Sequence, residues 1–444
     1  MDSETDLSIS PTDQADADRR MALAREWHRL VDDARGVEGF EDFLLPPTLD
    51  RLRSAAVGGP VAVLNISRWR CDALLVTDTG DPHVVPLPDL SEAAAVTRVN
   101  EYLGAVQRFE AAQVRVHALK QLIHTGDGKS AAHRELHAMT QEFIGAKASM
   151  ERTLGSVLEW LWDSVTEPVL NALGFVAAIE DHTDAPRMWW CPTGPLTLLP
   201  LHAAGYHSPS NAGRAVIDRV VSSYTPTLRA LVEARGSRHD TKGGERTPRM
   251  LTVAAPEPPG QPRLPNASQE LRLLEQLFPG DQGTLLIGAA AVRDQVLAAL
   301  RRHRWVHFIC HGDQDLRDPS KGGLLLADGE WLTVTDLVRD EYRGDFACLS
   351  ACKTATGGVT LPDEVITMAA ALHFTGYRHV IATLWSVYDP TAAEVMTRLY
   401  TRLIASGTFD PDGAAHALHQ AVRDLREWHP EHPSVWIPFT HTGP

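Results

Sequence analysis

Cysteine is scarce in this chain of 444 residues. There are five, Cys71, Cys191, Cys310, Cys348 and Cys352, an odd number without the close, even spacing of a disulfide framework. That excludes a scaffold stapled by bridges and points to free thiols in a reducing compartment. Basic residues are outnumbered, 42 Lys and Arg against 57 Asp and Glu, for a net charge of −15. Phosphates repel a chain that is acidic throughout, so nucleic acid is not expected as a direct partner. Long apolar runs are missing as well. None reaches the ~18 residues of a membrane span, and the first twenty residues lack the basic-then-apolar order of a secretory signal. No membrane attachment is expected, and the chain reads as cytoplasmic.

What is present suits a globular protein. Hydrophobic residues make up 43% and charged residues 22%, enough to bury a sizeable core without disulfides or metals. Residues 1–20 carry Asp2, Glu4, Asp6, Asp13, Asp16 and Asp18 with little that is apolar, and read as a disordered acidic tail. Residues 21–175 form an N-terminal region. It opens with a helical pattern broken at Pro46-Pro47, continues with a small β-meander over 55–90, and ends in two helical stretches, 91–124 and 131–172, around Gly126-Asp127-Gly128. A pair of long helices joined by a short turn predicts an antiparallel hairpin, packed on the domain that follows.

From 176 to 444 the texture alternates. Strand-like runs at 187–191, 250–254, 284–287, 305–310, 346–350 and 380–385 are separated by helical patterns near 267–278, 290–301, 363–375 and 389–405. This predicts an α/β fold with a mainly parallel sheet and flanking helices. The stretch 235–249 has little to bury and predicts an exposed loop.

In open parallel sheets functional side chains gather at the carboxyl ends of strands, and two strand ends carry chemistry. The run Trp-Val-His-Phe-Ile-Cys-His-Gly (305–312) ends on His311-Gly312, and Phe-Ala-Cys-Leu-Ser-Ala-Cys (346–352) ends on Cys352. If the strands are neighbours, both side chains emerge on one rim. His311 then takes the thiol proton and later returns it to a leaving amine. The N–H groups of Gly312 and Cys352 form a candidate oxyanion hole. His303, His307 and His311 share one face of such a strand, but residues four apart lie ~13 Å apart along it, too far to share one metal ion. Cys348 reads as a core thiol of its strand.

The blocks "VHFICHGD", "CLSACKTATGG", "LPDEVITMAAALHFTGYRHVIATLWSVYD" and "PSVWIPF" resemble, in order and spacing, those of the CHAT family, relatives of caspases and separase. So do the earlier "CPTGPLTLLPLHAAGY", "YTPTLRAL" and "LPNASQELRLL". The resemblance is strong over about 176–444. It implies a caspase–hemoglobinase-like sheet and a cysteine endopeptidase acting on protein substrates, with His311 and Cys352 as its dyad and no metal or organic cofactor. It also implies control by an activating protein partner or ligand, in a setting such as bacterial defence or programmed cell death. The substrate pocket falls near Leu384-Trp385-Ser386-Val387-Tyr388-Asp389. There Trp385 and Ser386 contribute walls, and Asp389 either attracts a basic side chain or caps the helix starting at Pro390. Two alternatives stay open: a dormant interaction module docking through the 91–172 helices, and a cysteine amidase or transferase on the same fold.

Overall fold

The computed structural model describes the chain from Pro11 to Pro444 apart from residues 39, 41, 42, 126–128, 181, 183, 184, 237–248, 262, 265, 266, 316, 317, 351–366, 386, 388 and 389. The Gly126–Gly128 turn and nearly all of the 235–249 loop therefore lie outside the described residues. Two compact units result, Met1–Leu52 and Arg53–Pro444. In the first, a helix runs from Pro11 to Arg35. Residues 11–20, expected from their charge to be tail, form its opening turns. Proline is suited to a first helical turn, and Ala15, Ala17, Arg19 and Arg20 are good helix formers, so local propensity prevails over acidity here.

The second unit is built on strands whose residues are mostly β-branched, aromatic or small. They are β1 (Val61–Asn65), β2 (Asp72–Val76), β3 (His83–Pro86), β4 (Arg187–Pro192), β5 (Val221–Tyr224), β6 (Met250–Ala254), β7 (Gly283–Ile287), β8 (Trp305–Ile309), β9 (His311–Asp313), β10 (Gly323–Leu325), β11 (Trp331–Thr333), β12 (Phe346–Ser350), β13 (His379–Thr383) and β14 (Phe439–Thr442). Eleven of them make one sheet in the order β3-β2-β1-β4-β5-β14-β13-β12-β8-β6-β7, and β11-β10-β9 make a small second sheet. The pairs β12–β13, β12–β8, β6–β8, β6–β7 and β4–β5 are parallel. β14 runs antiparallel to β13 and parallel to β5, joining two parallel blocks. The β1–β3 meander is the edge of the same sheet, because β1 pairs in parallel with β4.

Both faces of the sheet are covered, as a mainly parallel sheet requires. The two-residue period of β12 shows how. Phe346 and Cys348 belong to the core cluster of one face, Ala347 and Leu349 to that of the other. The first face carries the helices Glu92–Thr125, Lys129–Leu161, Ala267–Leu277, Pro390–Leu403 and Ala414–Trp428. The second carries Arg293–Leu300 and Met368–Phe374. The apolar stripe of the long hairpin, including Val99, Tyr102, Val106, Leu154, Leu158 and Leu161, is buried in the first cluster. No described helix is long and apolar enough to cross a membrane. At Gly376, in the turn from Met368–Phe374 into β13, φ is +110° and a Cβ would run into the Tyr342 carbonyl oxygen, so only glycine fits.

Candidate active site

β6, β8 and β12 lie side by side with their carboxyl ends level: Ala254 is opposite Ile309, and Ile309 is opposite Ser350. Adjacent strands lie ~4.8 Å apart, so Ile309 and Ser350 define one short stretch of rim. His311 comes two residues after Ile309, and Cys352 comes two residues after Ser350. Cys352 itself lies outside the described residues, as do Ser386 and Asp389.

The backbone beyond β8 turns away at once. Cys310, fully buried, directs its thiol toward the Val253 carbonyl at 3.8 Å, and burial pushes its pKa up to about 12. His311 then opens β9, opposite Leu325, and Gly312 lies opposite Leu324 in β10. His311 is 6% exposed. The small sheet that carries it is tied down by Gln314, whose side-chain amide donates to the Pro319 carbonyl at 3.1 Å. A Cβ at Gly322 would meet the Gln314 carboxamide, which packs directly over this glycine.

Beneath the rim, on the face of the first core cluster, sits a buried polar network. Glu270, in helix Ala267–Leu277, accepts a hydrogen bond from the Ser350 hydroxyl at 2.9 Å through Oε1. Its Oε2 accepts from His307 Nε2 at 3.1 Å. His307 Nδ1 meets the Tyr400 hydroxyl at 2.7 Å. Glu270 is 4% exposed and His307 fully buried. Burial by itself would lower the His307 pKa, but the adjacent Cys348 sulfur and the Glu270 carboxylate outweigh it and hold the ring above its ordinary value. Burial also raises Tyr400 well above the usual phenol range. Cys348 is buried, its thiol against the Met396 sulfur at 3.5 Å, in the core position its strand predicts. The sequence singled out His307 only as one of three histidines at a spacing of four. The three diverge in space: His303 bonds the Ala299 carbonyl and Thr284, His307 bonds Glu270 and Tyr400, and His311 opens β9. Glu270, Ser350 and Tyr400 went unremarked as functional candidates, since no local pattern joins positions 270, 307, 350 and 400.

Trp385 is 1% exposed and packs edge-on against Tyr102 of the long hairpin, ring centroids 5.9 Å apart. Its indole is part of the core, so any influence on a neighbouring pocket passes through the backbone it anchors. Other motif blocks meet far from one another in sequence. His202 Nε2 donates to the Ile437 carbonyl at 2.8 Å, and its Nδ1 faces the Tyr224 hydroxyl at 2.9 Å. One imidazole thereby ties "CPTGPLTLLPLHAAGY", "YTPTLRAL" and "PSVWIPF" together. Burial lowers its pKa to about 4, so it acts as a neutral link.

Among curated proteins none matches the chain at a significant level. Among solved structures, two separase–securin complexes from Saccharomyces cerevisiae align with TM-scores of 0.54 and 0.53, each at 10% identity over 89% of this chain. The alignments cover 30% and 31% of the matched chains, so this chain spans about a third of their length. The Arg-specific cysteine proteinase gingipain R aligns at a TM-score of 0.40 and 12% identity, over 63% of this chain and 68% of that one. The separase alignments show a likeness of fold. The family model for the CHAT domain matches residues 155–444, starting within helix Lys129–Leu161 and running through every strand from β4 to the last residue. Sheet, motif blocks and family model agree, and the chain belongs to the CHAT-domain family.

Proposed function

We propose that this protein is a cysteine endopeptidase that cleaves protein substrates with Cys352 as nucleophile and His311 as its base. The observation that carries the reading is the parallel pairing of β8 and β12, with Ile309 opposite Ser350, each strand leading within two residues to one member of the pair. A free cysteine is largely protonated at neutral pH, so it needs a neighbouring imidazole to become an effective nucleophile. In the proposed reaction the Cys352 thiol proton passes to His311 and the sulfur attacks the peptide carbonyl carbon. The carbonyl π electrons move to oxygen, and the N–H groups of Gly312 and Cys352 hold the oxyanion. Collapse breaks the C–N bond, and His311 gives the proton to the departing amine. Water, deprotonated by His311, then hydrolyses the thioester and restores the thiol. No metal or organic cofactor takes part.

The segment from Leu384 to Asp389 is the proposed wall of the substrate pocket. Trp385 anchors it, Ser386 is a wall residue, and Asp389 is the group that would attract a basic side chain. Control by a protein partner in the cytoplasm, in a defence or cell-death setting, is the proposed biology. The two separase neighbours were solved with securin bound, which supports a protein partner as the form of control.

The test is cleavage of a protein library by the full chain, with new termini mapped, alone and with candidate partners. Cuts present in wild type and reduced at least ~10³-fold in both Cys352→Ala and His311→Ala are expected. Undiminished cutting by Cys352→Ala would overturn the assignment. A basic residue before most cuts would support the Asp389 pocket.

A further inference from the structure

The peptidase reading leaves unexplained why a carboxylate is buried beneath the rim. Removing a carboxylate and an imidazolium from water costs several kcal/mol per ion, and a well-packed apolar cluster of the same volume is often as stable. The surroundings would allow such a cluster, since Phe346, Cys348, Leu274 and Met396 all belong to the same apolar core. What the ion pair adds is direction. The two oxygens of Glu270 are held by two different strands: Oε2 by His307 of β8, and Oε1 by Ser350 at the end of β12. His307 precedes His311 by four residues, and Ser350 precedes Cys352 by two. Tyr400 braces the other side of the His307 ring from helix Pro390–Leu403.

Resting on the peptidase reading, we infer that Glu270 is a positioning residue: with its two oxygens it joins β8 to β12, the strands that lead to His311 and Cys352. The fourth position of helix Ala267–Leu277 thereby ties the end of β12 to β8 beneath the rim. A hydrogen bond from a hydroxyl to a buried carboxylate is among the stronger kinds, and its geometry admits little play at 2.9 Å.

The measurement is the rate of Cys352 alkylation by iodoacetamide in the full-length protein, followed by peptide mass as a function of pH, with urea unfolding as a control. The proteins compared are wild type, Ser350→Ala, Ser350→Thr and Glu270→Gln. Ser350→Ala is expected to slow Cys352 labelling about tenfold at pH 7 and to move its pH midpoint up toward the ~8.5 of a free thiol, with the unfolding midpoint unchanged. Ser350→Thr, which keeps the hydroxyl, is expected to restore both. Glu270→Gln is expected to act in the same direction as Ser350→Ala. If it also lowers the unfolding midpoint, the Ser350 pair decides. Wild-type rate and midpoint in Ser350→Ala, with Cys352 still activated, would overturn the positioning role and leave the peptidase reading standing. A wild-type Cys352 that reacts no faster than glutathione would overturn the nucleophile assignment and the positioning role with it.

Discussion

Acid should unfold this protein through a small set of buried histidines, and His373 is the clearest case. It lies in the last turn of helix Met368–Phe374, 4% exposed, with Nδ1–H donated to the Tyr377 carbonyl at 3.1 Å. Burial is the main cause that lowers its pKa, to about 4. His379 lowers it further, while the Tyr377 and Arg378 carbonyls and Glu233 act the other way. In the unfolded chain the same ring titrates near ~6.5. Between these values the unfolded state binds the extra proton, so stability is lost as pH falls. Linkage gives a loss from this one ring of about 0.2 kcal/mol at pH 7 and about 2 kcal/mol at pH 5. His419, 8% exposed and stacked on His182, is lowered to about 3 by burial and by its positive neighbours, and adds about 2 kcal/mol at pH 5. His307 has the opposite sense. Its raised pKa contributes stability that is full below ~6.5 and lost only as pH climbs through the folded value, so it changes little over this window. Two rings together thus remove about 4 kcal/mol, a large part of an ordinary stability of ~5–15 kcal/mol. Urea unfolding at pH 7 and pH 5, on wild type and His373→Gln, measures it directly. The variant keeps an N–H donor, so its loss between the two pH values should be about 2 kcal/mol smaller than that of wild type. An identical loss in both proteins would refute the assignment of that proton to His373.

Two further outcomes follow from packing. Trp385→Ala removes a fully buried indole from its contact with Tyr102 and should cost ~3–5 kcal/mol in urea unfolding, independent of pH between 7 and 8. Gly376→Ala places a methyl against the Tyr342 carbonyl at a φ of +110°. It should cost at least ~2 kcal/mol, whereas Gly174→Ala, at φ +80° with nothing within 4 Å, pays for backbone strain alone, ~1 kcal/mol. Equal thermal shifts in the two glycine variants would contradict the steric account.

The sequence marked β6, β8 and β12 to within a residue or so because each is a run of apolar and β-branched residues bounded by polar ones, buried on both faces. It overextended β13 to Trp385, where the apolar run continues past the last paired residue, Thr383. It passed over β14, whose Phe-Thr-His-Thr alternates without a strong apolar signal, and β9, β10 and β11, which at three residues each fall below any detectable period. His311 and Cys352 drew notice as candidates because each follows a strand-like run within two residues and stands in a block of recognisable order. The inward turn of Trp385 was not legible, since its ring partner Tyr102 lies 283 positions away in sequence.

By itself, then, the sequence determined the elements, the alternation of strand and helix, the mainly parallel sheet and the identity of the candidate nucleophile and base. These depend on period and composition within about ten residues, where the chain's local geometry dictates the outcome. Only the tertiary structure decided that β14 joins the two parallel blocks, that the meander edges the same sheet, and that His202 ties three distant motifs. It also decided that one carboxylate, Glu270, reaches both strands leading to the candidate pair. Such pairings are set by which buried polar groups find partners when the layers close, and no short stretch of chain contains both halves of that answer.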